Sequence, residues 1–151
     1  MIRIIAIGKK HEAWIADGLE AFSKRLQAPW NIEWVLLPYS AQNGLQARQE
    51  ESQAILSRLK PDDYVILLDE RGEQLASPKF SECLSNQFTR GGQISFVIGG
   101  AYGVDDTVHD RANSVLSLSK MVFPHQLVRL ILVEQLYRAQ AIATNHPYHH
   151  Q

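Results

Sequence analysis

The sequence predicts an α/β fold: a mostly parallel sheet with helices on both faces. Three observations lead there. Short, mainly apolar runs recur at residues 2–8, 32–37, 64–69 and 94–98, and strands buried on both faces read this way instead of alternating. The stretches between them repeat their apolar residues at helical spacing, and strand-helix-strand alternation is what a parallel sheet covered on both sides requires. Finally, 151 residues at 45% hydrophobic and 21% charged suit one compact domain spanning 1–151.

In chain order, residues 2–8 end at Gly8 as the first strand. Trp14, Ile15, Gly18, Leu19, Phe22 and Leu26 then recur at three- and four-residue steps, predicting an amphipathic helix over about 11–27, closed by Pro29. Residues 32–37 form a second strand stopped by Pro38, and Asn43-Gly44 leads into a helix from about 45 to 59. Pro61-Asp62-Asp63 precedes a third strand at 64–69. Ser77-Pro78 starts a helix with Phe80, Leu84 and Phe88 on one face. Gly91-Gly92 separates it from the fourth strand, which runs into Gly99-Gly100. From Ser114 to Pro124, small polar residues alternate with apolar ones, as in a strand or extended loop. The helix over about 125–143 is apolar most of the way round, which suits full burial or a subunit interface.

Composition narrows the function. Cys83 is the single cysteine, so there is no disulfide framework and no Cys-based zinc site, and a reducing, cytoplasmic home is expected. The N-terminal apolar stretch lacks the form of an export signal, and no apolar run approaches the roughly 20 residues of a membrane span. A net charge of −1 argues against tight binding to naked RNA, though not against a folded ribonucleoprotein.

Four segments carry chemistry. The first is Phe96-Val97-Ile98-Gly99-Gly100-Ala101-Tyr102-Gly103, a strand emptying into a glycine turn at the carboxyl edge of a sheet, where ligands of open α/β folds bind. It falls short of G-x-G-x-x-G, the one support for a nicotinamide-dependent oxidoreductase. Asp105-Asp106 follows at the start of the next helix and occupies the positive end a pyrophosphate would need, which favours a ligand without phosphates. Residues 114–125 are the second segment. In the third, the helix beginning near His125, Glu134 and Arg138 can pair one turn apart, whereas Arg129 has no obvious partner and is a candidate for a substrate or cofactor carboxylate. The fourth is the tail, where Tyr148 and His149 are residues suited to binding or deprotonating a base. His146-x-x-His149 is not read as a metal site, since Pro147 prevents a regular helical pair and no acidic ligand stands nearby.

Taken together these segments resemble the ribosomal large subunit methyltransferase H family of the SPOUT superfamily, the pseudouridine N3-methyltransferases. The resemblance is carried by Leu67-Leu68-Asp69, by Phe96-Val97-Ile98-Gly99-Gly100, by Leu118-Ser119-Lys120-Met121 with Phe123-Pro124-His125-Gln126-Leu127-Val128-Arg129, by Glu134-Gln135-Leu136-Tyr137-Arg138-Ala139, and by Asn145-His146-Pro147-Tyr148-His149. It implies a C-terminal deep trefoil knot and a homodimer. It also implies S-adenosylmethionine surrounded by Leu68, Gly99, Gly100, Leu118, Ser119, Lys120, Met121, Val122 and Phe123. The implied substrate is a pseudouridine of large-subunit ribosomal RNA on the assembled ribosome. His149 is expected as the base, Tyr148 as the group orienting the nucleobase, and Arg129 as the cation steadying a developing oxygen charge.

Overall fold

A computed structural model describes residues 1–150. Five strands, β1 (Ile2–Ile7), β2 (Ile32–Leu37), β3 (Tyr64–Glu73), β4 (Ile94–Ile98) and β5 (Ser114–Leu116), form one sheet in the order β2-β1-β4-β3-β5. Every pairing is parallel. The helices are α1 (Ala13–Ser23), α2 (Gly44–Leu56), α3 (Ser77–Arg90), α4 (Asp106–Arg111) and α5 (His125–Ala143).

Alternation along each strand divides the interior in two. Ile2, Ile4, Ile66, Ile94 and Phe96 pack with Ile15 and Leu19 of α1, Phe80 and Leu84 of α3, and Leu132, Val133 and Leu136 of α5. Ile5, Ile7, Val65, Leu67 and Val97 point the other way, to Ile55 of α2 and Val108 of α4. The register sets Ile4 beside Trp34 and Phe96, and Phe96 beside Ile66, so apolar side chains stack across strands on each face. The expected α/β sheet with helices on both faces is therefore present. No described helix is long and apolar enough to cross a membrane.

One element differs from expectation, and a second settles between the two forms expected of it. The third strand continues to Glu73 because Leu116 pairs first with Leu68 and then with Glu73, a register slip that expels residues 69–72 from the ladder. Asp69 makes the expulsion possible: its carboxylate accepts from the Arg71 backbone N–H at 2.9 Å, a local turn that competes with strand pairing. The fifth strand stops at Leu116. Beyond it the serines take over the hydrogen bonding: Ser117 Oγ donates to the Ser119 carbonyl, and Ser119 Oγ accepts from the Met121 N–H. The alternation of serine with apolar residues thus belongs to a self-bonded loop and not to a long strand.

Candidate active site

The carboxyl ends of β3, β4 and β5 and the start of α5 enclose a cavity of about 500 Å³, within the usual range for small-molecule sites. Four chain segments wall it: the expelled loop after Leu68, the glycine turn, residues 116–123, and Pro124, His125 and Val128. Of the residues expected around a cofactor, Leu68, Gly99, Gly100, Leu118, Ser119, Met121, Val122 and Phe123 line it. Lys120 is exposed and does not.

The polar groups of the wall come from segments far apart in sequence. Asp69 binds Arg71 through both carboxylate oxygens and lies 3.2 Å from His109 Nε2 of α4. These hydrogen bonds, the Arg71 bonds foremost, hold the Asp69 carboxyl down to about 2, so it is an anion at neutral pH. At the opposite rim, Tyr39 Oη lies 3.1 Å from His125 Nε2. Burial, reinforced by the charge of Arg129, holds His125 below the usual histidine range, so the ring is neutral at pH 7. The positive end of α4 is already used: Asp105 Oδ1 accepts from the Thr107 N–H at 3.0 Å. A phosphate would meet that carboxylate, in agreement with the sequence argument.

Sequence reasoning assigned no site role to Asp69, Arg71, His109, Tyr39 or His125. The rule that α/β ligands sit beyond the carboxyl ends of strands could have marked Asp69. Tyr39 carries no such signal, since only the fold brings it to His125.

Arg129 lies outside the cavity. It is 0% exposed, and its guanidinium donates to the carbonyls of Ile7, Gly8 and Lys10 and to His11 Nδ1. The tail lies along α5: Tyr148 Oη donates to Glu134, Arg138 stacks over the Tyr148 ring at 4.9 Å, and Arg138 Nη1 lies 3.1 Å from His149 Nδ1. Since arginine only donates, His149 Nδ1 is the acceptor there. Burial first, and then the bond to Glu134, raise the Tyr148 phenol, so it stays protonated. Glu134 and Arg138 stand six and ten residues after Val128 of the wall, about 9 and 15 Å along the helix. Within one chain no tail residue lines the cavity.

A family model described as "Predicted SPOUT methyltransferase" matches residues 1–149. The chain belongs to the SPOUT methyltransferase family. Three relatives bear the name "Ribosomal RNA large subunit methyltransferase H". That of Christiangramia forsetii is 40% identical and that of Parabacteroides distasonis 38%, each over 99% of both chains. That of Anaeromyxobacter sp. is 41% identical over 98% of both. The resemblance read from the motifs is thus confirmed across the whole length. Family membership makes the chain a methyltransferase and removes the nicotinamide reading, which rested on one glycine turn.

Proposed function

We propose that this methyltransferase transfers the methyl group of S-adenosylmethionine to N3 of a pseudouridine in large-subunit ribosomal RNA, on assembled ribosomes in the cytoplasm. The observation that carries the reading is the cavity itself, walled by the glycine turn and residues 118–123 in a chain that matches the family from end to end.

The cavity suits the cofactor chemically. Leu68, Ile98, Leu116 and Leu118 offer an apolar wall for an adenine ring, the Asp69 carboxylate suits hydroxyl or cationic groups, and the capped start of α4 offers nothing to a phosphate. We take the family's knot to form where residues 114–117 pass the expelled loop, so close that a Cβ at Gly72 would stand 2.6 Å from the Val115 carbonyl oxygen. The serine-rich strand exit is the segment we take to pass through that loop.

When bound, the cofactor supplies an electrophilic methyl group. The residues of the chain do the rest: they hold the nucleobase nitrogen in line, exclude water and remove the imide proton. Positioning supplies most of the acceleration. We assign proton removal to His149, whose Nδ1 has to leave Arg138 to accept the proton, and orientation of the nucleobase to Tyr148. Because the tail and the cavity of one chain lie apart, the tail acts on the cavity of a second subunit. A homodimer also accounts for Met121 and Val122, apolar residues 73% and 76% exposed at the cavity rim. Arg129 keeps a supporting place behind the site, since both its terminal nitrogens are bound to the β1–α1 connection.

Thermal unfolding with added ligand tests the cofactor. S-adenosylmethionine is expected to raise the melting temperature and NAD to leave it unchanged. Stabilisation by NAD alone would overturn the reading.

A further inference from the structure

Arg129 heads the fully buried side chains by size, and it forms no ion pair among the described residues. A guanidinium buried in this way has to be repaid by hydrogen bonds, and every one it makes goes to a single segment. It donates to Ile7 O at 2.9 Å, Gly8 O at 3.1 Å and Lys10 O at 3.1 Å, and meets His11 Nδ1 at 3.1 Å. Gln126, one turn earlier on α5, adds two more: its Nε2 donates to Lys10 O and its Oε1 accepts from the Glu12 N–H, both at 3.0 Å. The chain turns out of β1 at Gly8, φ 116°, where a Cβ would lie 3.0 Å from Arg129 Nη2. Six contacts from one helix thus fix the short connection between β1 and α1.

That connection has one outward product. Lys9 and Lys10 are exposed and have no ion-pair partner among the described residues. Beside them Trp14 is 58% exposed, with Nε1 donating to Glu12 Oε2 at 2.7 Å, so both the one polar atom of the indole and the nearest carboxylate oxygen are occupied. Two free cations and a bare indole on a rigid loop match the chemistry of a single-stranded RNA segment: phosphates for the lysines, an unstacked base for the ring. The loop is also beside the cavity, because Gln126 follows His125 of its wall. A chain of net charge −1 has no general basic surface, so its hold on phosphate has to be local.

We propose that the β1–α1 connection is an RNA-binding site, with Lys9 and Lys10 on phosphates and Trp14 stacked on a base, and that Arg129 and Gln126 are its positioning residues. The proposal rests on the RNA-methyltransferase reading above and adds to it where the RNA is held. Holding the lysines in place before binding lowers the ordering cost.

The test uses the whole protein and ribosomes lacking the modification. The double variant Lys9→Ala, Lys10→Ala is expected to weaken ribosome binding and to reduce the slope of log affinity against log salt by roughly 1.4 to 1.8, two phosphates' worth. Trp14→Ala is expected to weaken binding by about tenfold and Trp14→Phe by much less. Arg129→Lys keeps the charge but loses the fork; it should raise KM for ribosomes while kcat at saturation and cofactor affinity by calorimetry stay within about twofold. Wild-type affinity and salt slope in the lysine variant would overturn the proposal, as would a Trp14→Ala loss that tracks a change in oligomer mass by sedimentation. If the wild-type protein methylates and the variants match it, only this site falls. If the wild-type protein does not methylate, the functional reading itself falls.

Discussion

Asp69 is where one side chain shapes both fold and site. Its carboxylate closes the turn that ejects residues 69–72 from β3, and it forms part of the cavity wall. Its folded pKa, about 2, lies below the ordinary carboxylate value of 3.8. The unfolded chain therefore binds the proton more readily, and the contribution to stability is complete above about pH 4 and lost as pH falls toward 2. Asp69→Asn is expected to melt lower than wild type at neutral pH and to lose less between pH 4 and pH 2, as followed by circular dichroism. His149 has a kinetic test. His149→Ala should lower kcat by about 10² to 10⁴ with cofactor affinity unchanged, the usual range for losing a general base; turnover at the wild-type rate would remove it from that role. At this scale the apolar and glycine positions expected around a cofactor could be read from motifs, and most of them do share one cavity. The role of Arg129 could not. Its partners are main-chain carbonyls, which every sequence possesses, so nothing in the residue types around it announces them.

Among the elements, α5 joins the most distant parts of the chain. Its start walls the cavity, its second turn clamps the β1–α1 connection, its middle packs against α1 and α3, and its later turns carry the tail. The bounds read from sequence, about 125–143, are those observed, because Pro124 marks the start and apolar residues recur in every turn. The near-uniform apolarity is explained in part by burial of Leu132, Val133 and Leu136. Leu136→Ala should cost about 2–5 kcal/mol in chemical denaturation, through lost burial and the cavity left behind. The expelled loop and the short β5 were less legible. Both depend on a register slip between strands more than forty residues apart, and the alternating serines imitate strand periodicity while serving a loop. Gly72→Ala places a methyl group against the Val115 backbone, so it is expected to weaken cofactor binding in calorimetry by displacing the segment that leads to residues 118–123. Unchanged affinity would show that the close approach is not required.

For the whole molecule, parallel topology follows from strand-helix alternation, and the cavity follows from topology, at the carboxyl ends where β4 returns past β3 to β5. What alternation does not convey is how a tail that lines no part of the cavity could serve the proposed catalysis. The proposed second subunit would bring its tail to this cavity. Mixing a cofactor-site variant with His149→Ala should restore activity in heterodimers, since each supplies what the other lacks; inactive mixtures of proteins shown to exchange subunits would contradict shared sites. The proposed reaction is methylation of N3 of a ribosomal pseudouridine. Its most direct test is to incubate the protein with isotopically labelled S-adenosylmethionine and ribosomes lacking the modification, digest the RNA, and locate the label by mass spectrometry. One labelled methyl group per large subunit is expected, on N3 of a pseudouridine. A label on any other base, or none at all with active cofactor-bound protein, would contradict it.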